Sequence, residues 1–270
     1  MLDNNVKQII NSLWDKFWAG GLVNGFDAID QMNTLIFLRI LEEKDKSEIA
    51  TAKRKKSNYV SIFENNEKAR WSYFSQLTGD DLVKHMQYVI NTWLKGLKIE
   101  NDQVLKYIQL TTFKLESGSL IREAITSINS LDISNSNFDI RGDIFEYMLS
   151  KLNKQGDGNQ FRTPRHIIDL MVNLINPQFG EKIIDPAVGT GGFLISSHNH
   201  LLRSRTSEEF IKTDNDGNQY GFIGDQLSSN EEKWLSSTDS FSGSDFDDLQ
   251  IRLASMNLFL HNIPEPNLTY

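Results

Sequence analysis

Asp185-Pro186-Ala187-Val188-Gly189-Thr190-Gly191-Gly192-Phe193-Leu194 sets a carboxylate and a cluster of glycines directly behind the apolar run Lys182-Ile183-Ile184. Such a string reads as a strand, a tight turn and a helix start, the geometry of a nucleotide-type cofactor site. Glycine admits positive φ and close backbone approach, while a helix start offers unpaired N–H groups and a positive dipole end. Spacing then separates the ligands. A dinucleotide fingerprint requires its third glycine at position 194, which is Leu194, and a phosphate-binding P-loop requires Gly-Lys-Ser/Thr after the turn; neither is present. An acidic strand end followed by Gly-Thr-Gly-Gly suits S-adenosylmethionine, whose amino acid portion can be held by a carboxylate and backbone groups. A purely structural glycine turn stays open as the alternative for the bare motif.

Two further segments bear on the same chemistry. Upstream lies Gln160-Phe161-Arg162-Thr163-Pro164-Arg165-His166-Ile167-Ile168-Asp169-Leu170-Met171-Val172, in which Thr163 is expected to cap and Pro164 to occupy the first turn of an amphipathic helix. Downstream, Ser240-Phe241-Ser242-Gly243-Ser244-Asp245-Phe246 reads as a short alternating strand ending in a carboxylate, followed by a helix from Leu249 to His261. Carboxylates at the carboxyl ends of neighbouring parallel strands converge on the crevice where open α/β sheets bind ligands. Asp245 has a second reading as the cap of the helix that follows it.

In this order and chemistry the chain resembles the modification (M) subunit of type I restriction-modification systems, of the N6-adenine DNA methyltransferase class. The resemblance rests on Phe138-Asp139-Ile140-Arg141-Gly142-Asp143-Ile144-Phe145-Glu146-Tyr147, on Gln160 to Arg165, on Asp185 to Leu194, and on Leu253-Ala254-Ser255-Met256-Asn257-Leu258-Phe259-Leu260-His261. It covers essentially the whole chain. Members of that family usually carry Cys or Ala where this chain has Val188, and often Ala at Gly191; both departures are small. The resemblance implies that Gln160, Phe161, Arg162, Thr163, Pro164 and Arg165 form a loop against the cofactor. It implies that Val188, Gly189, Thr190 and Gly191 meet it through backbone and hydroxyl, that Asp185 orients its amino acid end, and that Asp245 accepts from its ribose hydroxyls. The expected fold is a mostly α amino-terminal helical bundle followed by an incomplete α/β Rossmann-like S-adenosylmethionine-dependent methyltransferase domain.

Amino methyltransferases also need a tetrapeptide of polar residue, Pro, Pro and aromatic residue, which accepts from the exocyclic amine and stacks on the flipped base. The prolines here are Pro164, Pro177, Pro186, Pro264 and Pro266, no two adjacent. No catalytic residue is therefore expected within the chain. The expectation is an amino-terminal part of a longer polypeptide, with its catalytic motif beyond Tyr270, because half a sheet leaves an unpaired edge.

Composition bounds these readings. The 270 residues, 39% hydrophobic and 24% charged, suffice for two modest cores. No stretch approaches a membrane span, and Met1-Leu2-Asp3-Asn4-Asn5 lacks the blocks of a signal peptide. The absence of cysteine excludes disulfides and thiolate metal sites and agrees with a cytoplasmic location. A net charge of −8 argues against strong independent binding to DNA, so a partner must help. The resemblance implies a specificity (S) subunit that reads the DNA target, a second M subunit closing around the duplex with its flipped adenine, and a restriction (R) subunit that joins them.

The elements that must position the site divide into two domains. Val6, Ile9, Ile10, Leu13, Trp14, Phe17 and Trp18 form a wide apolar helical stripe ending at Gly20-Gly21. A second helix begins near Asp27 and carries Ile29 through Leu41, and a third runs near Asp81 to Leu94. Further helices are expected near 101–112 and 119–128. Residues 1–133 thus read as a helical domain, 134–159 as a connecting segment and loop, and 160–270 as the first part of the cofactor domain. Between the two cofactor carboxylates, Arg203 to Thr238 is a polar insertion in which Asp214-Asn215-Asp216-Gly217-Asn218 signals a hairpin turn.

Other candidates are weaker. Lys53-Arg54-Lys55-Lys56 reads as a solvated run with a secondary DNA or partner role. Asp214 to Gly217 lacks the ligand ladder of a calcium loop. His198 and His200 fall on different faces of a helix, so no metal is expected. Gly224-Asp225-Gln226-Leu227 mimics an acidic strand end but lies in the insertion. Two function classes stand: the methylase subunit, transferring a methyl group from S-adenosylmethionine to the N6 amine of adenine in its full length, and a non-catalytic M-like module docking on the S subunit. Dinucleotide redox chemistry is disfavoured by Leu194.

Overall fold

The computed structural model describes all residues except 1, 3, 23, 57, 98–110, 132–137, 156–162, 214–216 and 264; the side chains at 55, 138–141 and 152–155 lie outside that description as well. The chain divides into a helical unit, Leu2–Ile99 with Gln109–Gly158, and an α/β unit dominated by Asn159–Tyr270.

In the helical unit, α1 (Asn4–Ala19) buries Ile10, Leu13, Trp14 and Phe17, the stripe its periodicity predicts. The next helix, α2 (Gly25–Lys55), is capped by Asn24, whose side chain accepts from the Phe26 N–H. It runs well past its last buried apolar position, Leu41. Its polar continuation is held from the side. Buried Glu42 accepts from the Ser72 N–H and hydroxyl, both at 2.7 Å, and buried Asp45 pairs with Arg70 at 3.0 Å and accepts from Ser61 at 2.9 Å. The Arg70 and Ser72 partners flank the start of α3 (Trp71–Phe74). Beyond it, α4 (Gly79–Tyr88) continues as a π-helical turn over Val89–Leu94. Of the helices expected near 101–112 and 119–128, the second is present as α5 (Gly118–Ser130), capped by Ser117, whereas 101–110 lies outside the described residues and 111–112 are not helical. Phe138 to Tyr147, expected within a connecting segment, belongs to α6 (Phe138–Gln155), which buries Ile144, Phe145, Met148 and Leu149 in the helical unit.

The α/β unit is built as α7 (Arg165–Ile175), β1 (Ile183–Asp185), α8 (Gly192–Arg203), a β2–β3 hairpin (Lys212–Thr213 and Gln219–Tyr220), α9 (Ser229–Leu235), β4 (Phe241–Ser244), α10 (Asp248–Leu260) and β5 (Asn267–Thr269). The sheet order is β1-β4-β5, parallel throughout, with Asp185 opposite Gly243 and Gly243 opposite Leu268. Parallel strands joined by helical crossovers place their carboxyl ends on one side. Val188, Leu194, Ile195, Phe241, Ile251, Leu258 and Leu268 form its core. The hairpin signalled by the polar insertion has its flanks paired antiparallel, Lys212 with Tyr220 and Thr213 with Gln219.

Candidate functional site

The site begins where β1 ends. Asp185 closes the strand, and its Oδ1 accepts from the Ala187 N–H at 3.1 Å, which starts the turn. The turn is then fastened to β4: the Val188 N–H donates to the Ser244 carbonyl at 2.9 Å, and the Ser244 hydroxyl donates to the Pro186 carbonyl at 3.1 Å. Gly243 makes this close approach possible, since a Cβ there would lie 2.7 Å from Val188 Cγ2. The turn itself needs φ values of +51° at Gly189 and +85° at Gly191, conformations natural to glycine. Gly191 is the N-cap of α8, and the first turn of that helix therefore opens toward the strand ends with its N–H groups unpaired. From behind, the buried Asn257 on α10 donates from Nδ2 to the Thr190 carbonyl at 2.8 Å.

Asp245, immediately after β4, reaches across to the same turn. Its Oδ2 accepts from the Gly189 N–H and its Oδ1 from the Asp247 N–H, each at 3.0 Å. The capping role read as its second possibility belongs to Asp247, whose side chain accepts from the Leu249 N–H at 2.9 Å. Asp245 thus bridges the glycine turn and the backbone of the helix cap without capping the helix itself.

These elements enclose a cleft of about 240 Å³. Among the sequence-predicted residues, Thr163, Asp185, Val188, Gly189, Thr190 and Asp245 line it. Gly191 shapes it from the N-cap position. Pro164 is the N-cap of α7, with no side-chain cap bond, so Thr163 sits one residue outside the helix and does not cap it. Its place is in the cleft wall. Arg165 is exposed and lies 3.6 Å from Asp169, the next turn of α7. Gln160, Phe161 and Arg162 lie outside the described residues. Ile168, Ala187, Gly192, Phe193, Phe246 and Gln250 complete the lining and were not singled out by the sequence reading. Phe246 had one available signal: it is an aromatic residue directly behind the strand-end carboxylate, and it is 90% exposed.

Two features give the cleft its chemical character. Asp185 Oδ2 is buried and has no hydrogen-bond partner. Burial holds the Asp185 carboxyl above the ordinary carboxylate range; the Ala187 N–H works against that shift, and the neighbouring Asp245 charge adds to it. An unpaired anionic oxygen beside a helix N-terminus is complementary to a zwitterion, its ammonium at the carboxylate and its carboxylate at the helix N–H groups. Asp245, an acceptor with lone pairs beyond its backbone bonds, suits hydroxyl donors. The residues present thus fit an amino acid joined to a ribose. Among the described residues no cluster of His, Cys, Asp and Glu could hold a metal ion, and no helix is long and apolar enough to cross a membrane. His198 faces inward against Phe241, while His200 contacts Asn173 and Asn176, so the two imidazoles do not converge. In the insertion, Asp225 accepts from the Ser207 N–H at 2.8 Å, a bond within that segment.

Comparison with known proteins joins both halves of the chain to one group. The profile of the N-6 DNA Methylase family matches residues 136–269, and that of the HsdM N-terminal domain matches residues 6–128. The type I restriction enzyme EcoEI methylase subunit of Escherichia coli is 30% identical over 223 residues, covering 78% of this chain and 44% of the relative. The EcoKI methylase subunit of Escherichia coli strain K12 is 33% identical over 98% of this chain and 45% of its own length. A crystal structure of a modification subunit assigned to a type I restriction enzyme of Vibrio vulnificus YJ016 superposes with a TM-score of 0.70 at 23% identity, over 97% of this chain and 54% of that one. The chain thus spans less than half the length of these curated relatives.

Proposed function

Because the chain belongs to the N-6 DNA methylase family, as a type I restriction-modification methylase subunit, we propose that its cleft binds S-adenosylmethionine for transfer to the N6 amine of adenine in DNA. The observation that carries this reading is the buried, unpartnered Oδ2 of Asp185 at the foot of a glycine turn that Asp245 grips from the neighbouring strand. In this reading Asp185 receives the ammonium of the ligand's amino acid end, and the first turn of α8 receives its carboxylate. Asp245 accepts from the ribose hydroxyls, and Val188, Gly189 and Thr190 pack along the ligand. The segment Gln160 to Arg165 lies against it. When bound, the cofactor supplies an electrophilic sulfonium methyl group. The protein's own part is to hold that group at the carboxyl ends of β1 and β4 with water displaced from the cleft.

The acceptor side calls for more than these residues. No two of the prolines are adjacent, so the Pro-Pro tetrapeptide that grips the target amine is not among the 270 residues. A second reading is the non-catalytic M-like module that docks on a specificity subunit. Under the first reading the working assembly is cytoplasmic: duplex DNA with its adenine flipped out, a specificity subunit, a second M subunit and a restriction subunit.

Photocrosslinking with radiolabelled S-adenosylmethionine tests the cofactor claim. The label is expected in peptides containing Gln160–Arg165, Asp185–Gly191 or Asp245, with S-adenosylhomocysteine competing and NADH not competing. Labelling elsewhere, or competition by NADH, contradicts it. Tritiated methyl incorporation into DNA, on supplying the specificity subunit with and without the carboxyl-terminal half of a relative, then separates the two readings.

A further inference from the structure

Gln250 belongs to α10 and is only 4% exposed, yet its Nε2 has no hydrogen-bond partner. Two other buried polar side chains of that helix each make a hydrogen bond: the Ser255 hydroxyl donates to the Ile251 carbonyl, and Asn257 Nδ2 donates to the Thr190 carbonyl, each at 2.8 Å. A buried amide donor left unpaired is destabilising, and native chains keep few of them. Leu or Met would fill the same place without that penalty. Gln250 lines the cleft, and it does so from the element that follows β4, on the wall that also carries Asp245 and Phe246.

We infer that Gln250 is a ligand-reading residue, whose carboxamide N–H donates to an acceptor atom on the adenosyl half of the bound cofactor. The inference rests on the cofactor reading above and adds a donor to a wall whose other polar group, Asp245, only accepts when ionised. One wall then reads both polarities of a nucleoside: Asp245 takes the ribose hydroxyl protons, and Gln250 supplies the proton that a ring nitrogen or sugar oxygen needs. An analogue without that acceptor leaves the amide orphaned, so the residue discriminates as well as binds.

Calorimetry on the full chain, titrated separately with S-adenosylhomocysteine, 5′-methylthioadenosine and methionine, decides the matter. Gln250→Met removes the donor at nearly constant volume. It should weaken S-adenosylhomocysteine and methylthioadenosine by the same factor, roughly tenfold, leave methionine affinity unchanged, and leave the melting temperature equal or higher. Gln250→Glu keeps the shape but replaces the donor by an acceptor, and the same loss is expected of it. Unchanged nucleoside affinity together with a lower melting temperature would show a structural role and overturn the inference alone. A wild-type chain that binds neither nucleoside overturns the cofactor reading and the inference together.

Discussion

Asp185→Asn should make the protein more stable and its ligand weaker, two effects that a merely structural carboxylate would not produce together. In the folded chain Oδ1 of Asp185 is bonded to the Ala187 N–H while Oδ2 is buried without a partner. Burial raises its folded pKa above the ordinary value of 3.8, against the Ala187 N–H and with the Asp245 charge. A raised folded pKa means that the folded chain holds the proton more tightly than the unfolded chain. The penalty is therefore absent below pH 3.8, where both states are protonated. It grows as pH rises through the folded value and is complete at neutral pH. Asparagine keeps the Oδ1 bond and puts a neutral amide N–H, itself unpaired, where the charged oxygen was buried; an orphaned charge costs more than an orphaned amide, so the variant should gain about 1 kcal/mol at pH 7, or about 2–4 °C in Tm for a chain of this size. That gain should shrink toward zero as the pH approaches 4. Against S-adenosylmethionine, loss of a charge-assisted bond of about 1.5–3 kcal/mol corresponds to ~10- to 150-fold weaker binding. Scanning calorimetry across pH and titration calorimetry at pH 7 read the two effects. A lower Tm with unchanged affinity would refute the reasoning, and so would a stability difference that does not vary with pH.

Phe246→Ala should leave Tm nearly unchanged, since the ring is 90% exposed, while weakening S-adenosylmethionine roughly tenfold by loss of a stacking face for the base; titration calorimetry reads this directly. Gly243→Ala places a Cβ 2.7 Å from Val188 Cγ2, and overpacking of this kind costs about 1–3 kcal/mol, visible as a lower urea midpoint. Because Val188 belongs to the turn, cofactor affinity should fall with it. Burial pushes His198 down to about 4 and His261 to about 3, the Arg165 charge adding to the downward shift of His261. Their unfolded value is 6.5, so the stability they contribute is complete above that pH and is lost as pH falls toward the folded values. Urea titrations at pH 7 and pH 5 should show that loss, and His198→Gln should reduce it.

The site was legible where a residue type is imposed by backbone or charge. Gly189 and Gly191 stand at positive φ, and Asp185 and Asp245 stand at the ends of paired parallel strands, so the motif and its geometry are the same fact. What was hidden depends on partners distant in sequence. The continuation of α2 beyond Leu41 is mostly polar and holds because Glu42 meets Ser72 and Asp45 meets Arg70, pairings no local pattern announces. Gln250 escaped notice because α10 is buried on nearly every side, leaving no amphipathic phase to mark which face meets the cleft. Asp247, rather than Asp245, took the cap because β4 ends at Ser244 and the turn toward Gly189 draws Asp245 away. Thr163 lost its capping role to Pro164 by a single residue, a margin within which helix ends are poorly determined by composition.

The central claim is that Asp185 and Asp245 hold one S-adenosylmethionine molecule across the glycine turn. Titration calorimetry of S-adenosylmethionine into the full chain and into a folded Asp245→Ala variant tests it most directly. The account predicts one site in the parent chain and at least tenfold weaker binding in the variant, which loses the acceptor for the ribose and the clamp on the Gly189 N–H. Equal affinities in the two proteins would contradict it.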